Sequence, residues 1–273
     1  MKKIRFLDNN LLTDSANVIF SSDTDYDGKT GQDVLDTKNF GVYRLTENVT
    51  LGGYVFDVEL TAPLEPSSFA IVPNDVNGFY LTSETEVIVQ ASNFGFDTVE
   101  KEFEGIHSRF GAFCDFRETG VDNSFRYWRI WLKEFNRDPS EINESLDIKY
   151  IFFGDHVDIT ERNIATKYSV KLTDNSEIFE SESGRRYVND KPKKLTIDGL
   201  RFQYMNGTDR ANFQKFYYEY GISQNFLTVI DPADVMTAEP LELMRIMHFN
   251  AIPDQSQQIR DLMETSFSLS EAL

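Results

Sequence analysis

Carboxylates are the commonest chemistry-bearing side chains here: 45 Asp and Glu stand against 27 Lys and Arg, for a formal charge of −18. One set has ligand spacing. Asp23-Thr24-Asp25-Tyr26-Asp27-Gly28 follows the D-x-D-x-D-G opening of a calcium loop. Alternate carboxylates there converge on a hard cation, and the glycine allows a sharp turn. Asp23, Asp25 and Asp27 are therefore candidate metal ligands, and a structural Ca2+ is the one cofactor the sequence suggests. The match then breaks down. Thr30 stands where an aliphatic residue is expected, Val34 stands where the bidentate glutamate belongs, and no amphipathic helix flanks the loop. A solvated acidic loop is the competing reading.

No catalytic set emerges from the remaining reactive residues. Cys114 is the only cysteine, which excludes an intrachain disulfide; inside Phe113-Cys114-Asp115-Phe116 it reads as a buried, inert thiol. His107, His156 and His248 show no pairing in sequence with a nucleophile. Glu84 with Glu86, or Glu100 with Glu102 and Glu104, could be taken for a glycosidase pair, but they read better as a solvated strand face and a charged loop. The nucleotide-binding, zinc-protease, redox and hydrolase motifs are absent. No enzyme activity is expected. Arg185, Arg186, Lys191, Lys193 and Lys194 form the one basic cluster. In so acidic a chain they are candidates for contact with an acidic neighbour, such as another copy, or else ordinary residues of an exposed hairpin. Tyr127, Arg129 and Trp131 could stack on a sugar ring, or lie in a core.

The elements that would position these residues are mostly strands. Both tryptophans fall in Phe125-Arg126-Tyr127-Trp128-Arg129-Ile130-Trp131-Leu132. Here Trp128, Ile130 and Leu132 share one face and Tyr127, Arg129 and Trp131 the other. Aromatics on both faces predict a central strand covered on both sides. Short strands are expected around a turn at Asp8-Asn9-Asn10, over Tyr54 to Leu60 until Pro63 and Pro66, over Phe69 to Val72, over Glu86 to Ser92, and over Ile148 to Phe153 ending at Gly154. The stretch from Asn93 to Asn123 reads as polar and partly acidic, broken by Phe110 to Phe116. The first 158 residues therefore read as a β-sandwich. Beyond them, alternation over Tyr168 to Leu172 and Glu177 to Glu182 predicts strands. A phase slip at Asp198-Gly199 predicts a β-bulge. Thr208 to Tyr220 is the one clear helix, capped by Thr208, with Phe213, Phe216, Tyr217 and Tyr220 as its core stripe and Gly221 as its stop. Strands follow at Phe226 to Ile230, Leu241 to Phe249 and Ile259 to Leu269.

The ordered series from Tyr54-Val55-Phe56-Asp57-Val58, through Phe69-Ala70-Ile71-Val72-Pro73-Asn74 and Val87-Ile88-Val89-Gln90-Ala91-Ser92-Asn93, to Arg126-Tyr127-Trp128-Arg129-Ile130 and Ile148-Lys149-Tyr150-Ile151-Phe152-Phe153-Gly154 resembles the discoidin-like (galactose-binding-like) jelly-roll of tailed-bacteriophage minor tail proteins. In that version an R-Y-W-R-[IL] strand precedes an I-x-x-[IL]-x-x-G strand. A tyrosine, Tyr43, stands where a tryptophan is expected, and a long acidic insert precedes Phe125. Residues 165–273 resemble the ring-forming part of the same proteins. There a strand and a helix ending in glycine precede Phe226-Leu227-Thr228-Val229-Ile230-Asp231-Pro232 and a last strand ending in Leu269-Ser270-Glu271-Ala272-Leu273.

The resemblance implies a mainly β chain of two domains, a jelly-roll sandwich over 1–158 and a β-rich assembly domain with one helix over 159–273. It implies a structural part of a phage tail tip or baseplate, of the distal or minor tail kind, made in the host bacterial cytoplasm and carried in the virion tail. Its partners would be copies of itself in a ring and other tail proteins. A carbohydrate-binding module that attaches to host surface glycans is the alternative. Net negative charge argues against nucleic acid as a partner. No apolar run of about 18 residues exists for a membrane helix, and no signal segment follows the basic start.

Overall fold

The structure, a computed structural model, describes residues 3–12, 16–20, 43–46, 53–73, 85–108, 111–117, 124–134, 145–158, 168–174, 176–180, 185–189, 193–231, 243–259 and 262–272. Among these the chain is mainly β with one helix. The first part gives β1 (Lys3–Asn10), β2 (Ala16–Phe20), β3 (Tyr43–Thr46), β4 (Gly53–Leu64), β5 (Ser68–Pro73), β6 (Thr85–Ser92), β7 (Lys101–Glu104), β8 (Ile106–Ser108), β9 (Gly111–Asp115), β10 (Phe125–Glu134) and β11 (Ser145–Asp158). Then come β12 (Ser169–Thr173), β13 (Glu177–Glu180), β14 (Arg186–Asn189), β15 (Lys194–Met205), α1 (Gly207–Tyr220), β16 (Phe226–Asp231), β17 (Leu243–Phe249), β18 (Asp254–Ile259) and β19 (Leu262–Glu271).

Twelve strands form one sheet with the path β12-β15-β19-β17-β16-β1-β11-β5-β9-β8; β18 is added on β19 and β3 on β11. Five form a second sheet, β2-β4-β10-β6-β7. Alternation decides what each face buries. Tyr54, Phe56, Val58 and Leu60 of β4, Val87, Val89 and Ala91 of β6, and Trp128, Ile130 and Leu132 of β10 point one way. They meet Phe69, Ile71, Ala112, Cys114, Ile151 and Phe153 from the long sheet in a single core. Trp128 joins the layers: its ring packs edge-on to Phe153 at 5.2 Å and its indole N–H donates to the Phe125 carbonyl at 3.1 Å.

The same face of the long sheet carries a second core further along, covered by α1. Ile4, Phe6, Ile197, Leu200, Phe202, Phe226, Met247, Phe249 and Phe267 pack there with Phe213 and Phe216 of the helix. Phe6 is its hub, with the rings of Phe202, Phe216, Phe226, Phe249 and Phe267 within 6.4 Å of it. A third set, including Leu7, Ala70, Val72, Phe113, Phe152, Leu227, Val229 and Met244, is buried on the opposite face. That is why Phe69-Ala70-Ile71-Val72 is apolar without alternation: both of its faces are covered.

β1 lies between the two regions. It pairs antiparallel with β11 on one edge, with Arg5 opposite Asp158, and with β16 on the other, with Lys3 opposite Asp231. One ladder therefore runs from the strands of the sandwich-like region into those around the helix.

Several expectations are corrected. Asp8-Asn9-Asn10 is not a turn but the end of β1, where a bulge with Asn9 at φ 50° lies against β11. Asn10 repairs the ladder: its amide donates to the Ile151 carbonyl and its carbonyl accepts the Phe153 and Leu12 N–H groups. Gly154 does not end β11. A Cβ there would stand 2.2 Å from the Asn9 carbonyl oxygen, so the glycine admits the bulged strand. Pro63 does not stop β4, which runs to Leu64; the proline falls where the register with β10 breaks between the Tyr127–Glu59 and Phe125–Leu64 pairs, so no ladder donor is lost. The stretch from 93 to 123 holds β7 and β8 in its polar part, while β9 falls within the apolar break from Phe110 to Phe116. The helix cap is Asn206, not Thr208: Asn206 accepts from the Asp209 N–H at 2.8 Å and Asp209 accepts from the Asn206 N–H, a capping box. Leu241 to Phe249 and Ile259 to Leu269 become Leu243–Phe249 and Leu262–Glu271, with β18 between them.

The bulge at Asp198-Gly199 is present, as a register shift between Ile197 and Leu200 with Gly199 at φ 75°. The aromatic stripe of α1 faces the core, and Gly221 closes the helix by donating its N–H to the Tyr217 carbonyl at 2.7 Å. Tyr220 donates its hydroxyl to Asp8 at 2.9 Å and so ties the helix to β1. Burial, with the Asp8 charge beside it, holds that phenol proton far above the usual tyrosine range.

Candidate assembly surface

The basic cluster lies on an arm. Among the described residues β12 pairs only with the start of β15, and β13 and β14 form a separate two-stranded ribbon, with Glu177 opposite Asn189 and Glu180 opposite Arg186. Every residue of β12, β13 and β14 is exposed. The alternation of Val170 and Leu172 thus marks no core face. Large apolar side chains stand in solvent on both sides of the ribbon: Ile178 and Phe179 are each 56% exposed, Tyr187 55% and Val188 52%. A hairpin that stands alone is marginal in water, and apolar groups on both of its faces have no burial to support them in a single chain.

Arg185, Arg186 and Lys193 are exposed and Lys194 is half-buried, while Lys191 lies outside the described residues. Their charge is partly answered nearby. Lys193 stands 4.0 Å from Asp174, and Glu180 is the cross-strand neighbour of Arg186. The hydrogen bonds of the Asp174 carboxylate to Ser176, followed by the nearby Lys193 charge, hold it below the usual aspartate range. The arm therefore carries two rows of opposite sign, acidic on β13 and basic from β14 to β15, not one basic patch.

The sugar-stacking candidates fall elsewhere. Tyr127, Arg129 and Trp131 point away from the core on the outer face of the five-stranded sheet, and all three are half-buried. β10 is central, as expected, and its outer face is partly covered: Trp131 lies between Val55 and Ile88, both of them buried. Arg129 makes a two-point contact with Asp57 at 2.7 and 2.8 Å and stacks on the Phe96 ring at 4.1 Å. Its bonds to Asp57 keep the guanidinium above its usual range. Lys133 lies 5.0 Å from the centre of the Trp131 ring.

The far end of this sheet is acidic. Glu100, Glu102 and Glu104 are exposed on and beside β7, with Glu102 accepting from Gln90 at 2.9 Å. These carboxylates form a solvated face, with Phe103 between them in the core. Beside them on β8, burial holds the His107 imidazole below its ordinary value of 6.5, against the pull of a hydrogen bond with the Thr85 backbone. Its Nδ1 is buried and has no hydrogen-bond partner among the described residues. Because the folded value lies below the unfolded one, the unfolded chain binds more protons as pH falls through that range. Stability from this group is complete above pH 6.5 and is lost on acidification. Denaturant midpoints measured at pH 7 and 5.5 should therefore fall less for His107→Gln than for the native chain.

One constellation was not legible in the sequence. His156 Nδ1 lies 3.1 Å from Ser67 Oγ, and its Nε2 lies 3.5 Å from Asp115 Oδ2. The three types are those of a nucleophilic relay, but the surroundings suit another role. Ser67 Oγ already accepts the His156 backbone N–H at 2.8 Å, Arg5 neutralises Asp115 at 3.0 Å, and the His156 side chain is wholly buried. Arg5 reaches from β1 across β11 to the end of β9, over the Phe113 ring at 5.1 Å. The network ties β1, β9 and β11 of the long sheet to Ser67; separations of 110 residues between Arg5 and Asp115 and 89 between Ser67 and His156 hid it. Cys114 is buried, with its thiol 3.6 Å from the Glu104 carbonyl.

Asp23, Asp25 and Asp27 lie outside the described residues. Among the described residues, no helix is long and apolar enough to cross a membrane. A search of protein-family models found no match to this chain, and a search of curated proteins found none either.

Proposed function

We propose that this chain is a structural component of a phage tail tip or baseplate, of the distal or minor tail kind, which acts by assembling with copies of itself and with neighbouring tail proteins. The single observation that carries the proposal is the arm, whose apolar groups stand in solvent on both faces and call for a partner. The ordered resemblance of the first 158 residues to a discoidin-like jelly-roll, and of the rest to a ring-forming tail domain, supplies the setting. In this reading the jelly-roll projects towards the tail neighbours or the host, residues 159–273 form the contacts between copies, and the protein resides in the virion tail. The role needs no turnover of a substrate.

The test is the mass of the purified chain in solution, by light scattering and native mass spectrometry. The native chain is expected to form a defined oligomer. Reversing Arg185, Arg186, Lys193 and Lys194 to glutamate should shift it to smaller species and leave the monomer folded. An oligomer untouched by those four changes would remove the arm from the proposal.

One observation favours a second reading, attachment to a glycan. The outer face of β10 presents Tyr127 and Trp131 beside an arginine fixed by Asp57, a stacking surface with a polar anchor. Glycan-array binding that is lost in Trp131→Ala would support it, and an array without signal would leave assembly alone.

A further inference from the structure

We propose that the arm of one copy docks on the β7–β8 edge of a second copy, with β14 lying along β7, so that identical chains associate head to tail. The inference rests on the reading of the chain as a self-assembling part and names the surface that receives the arm.

The exposed apolar residues point to these two places. Of the twelve large apolar side chains most exposed among the described residues, six lie on the arm: Val170, Leu172, Ile178, Phe179, Tyr187 and Val188. Three more, Phe94, Val99 and Ile106, flank β7. The two patches sit at opposite ends of the molecule's strand order, since β12 ends the long sheet on one side and β8 on the other, while β7 ends the second sheet. A contact between unlike ends is heterologous; it repeats from copy to copy and closes into a ring when the rotation allows.

Charge selects the strand. Residues 97–104 hold Asp97, Glu100, Glu102 and Glu104 against Lys101, a net of −3. Residues 185–194 hold Arg185, Arg186, Lys191, Lys193 and Lys194 against Asp190, a net of +4. β13 carries Glu177 and Glu180, so β14 must be the strand that faces β7. Both have an edge available for it: among the described residues β14 pairs only with β13, and β7 only with β6. Antiparallel or parallel addition there would extend the five-stranded sheet by the ribbon, with backbone bonds giving affinity and opposite charges fixing the register.

The experiment uses the full chain in three variants: Arg185→Glu with Arg186→Glu, Glu102→Arg with Glu104→Arg, and all four changes together. All four positions are exposed, and unchanged far-UV circular dichroism and melting would show that each variant folds. Each pair alone should weaken self-association by about tenfold or more, as like charges meet across the contact. The fourfold variant should recover it, as should an equimolar mixture of the two double variants. Native-like association of Glu102→Arg/Glu104→Arg would overturn the inference and leave self-assembly through the arm standing. So would a folded fourfold variant that fails to recover. A native chain that stays monomeric at every concentration would overturn both.

Discussion

Arg5→Ala should destabilise the chain by about 3–5 kcal/mol, because it removes one partner of a buried ion pair and leaves the other without compensation. Arg5 is 3% exposed and Asp115 11%, and two guanidinium nitrogens lie 3.1 and 3.0 Å from the same carboxylate oxygen. Arg117, 3.8 Å from the other oxygen but 39% exposed, can answer only part of the charge left behind. Removing both partners should be much milder. Arg5→Met with Asp115→Leu leaves no buried charge, so the double change should cost clearly less than the sum of the single ones. Urea denaturation of the native chain, Arg5→Met, Asp115→Leu and the double variant closes the cycle. If Arg5→Ala unfolded within 1 kcal/mol of the native chain, the network would be a surface feature in solution.

Phe6→Ala should cost a comparable amount, about 3–5 kcal/mol. Five rings surround Phe6, drawn from β15, α1, β16, β17 and β19, and they cannot all close into the space a benzyl group leaves. Phe94→Ala, at a side chain 79% exposed, should change stability by no more than about 0.5 kcal/mol. The more discriminating readout is optical. Both tryptophans lie on β10, in the sheet that faces the other core. If the shared strand makes the two cores unfold together, the tryptophan fluorescence midpoint must move with the circular dichroism midpoint in Phe6→Ala. A fluorescence transition that stays in place while the other shifts would show that the cores melt separately.

Periodicity made the two covered faces legible. The alternating apolar residues of β4, β6 and β10, the stripe of α1 and the slip at Gly199 all follow from how a strand or helix presents its side chains, which needs no knowledge of distant partners. What failed was what depends on contact. Pro63 and Gly154 carry the ordinary signals for a strand end, yet one sits at a register break and the other beneath a bulge, which only the neighbouring strand reveals. β7 is short and rich in charge and β8 has only three residues, so their alternation is weak, and Phe103 is the one inward anchor of β7. The alternation of β12 marked the strand and not its exposure, because sequence cannot distinguish an apolar row that meets a core from one that stands in solvent. The basic cluster was recognised, but the acidic row opposite it on β13 appears only when the ribbon is paired.

The double pairing of β1 bears on how the protein is made. A ribosome delivers β1 first and β16 more than two hundred residues later, so one flank of that strand stays bare through most of synthesis. A bare strand flank invites pairing with another nascent chain. A shortened gene lacking residues 226–231 leaves that flank of β1 without its partner strand for good, and should yield an aggregate instead of a smaller soluble piece.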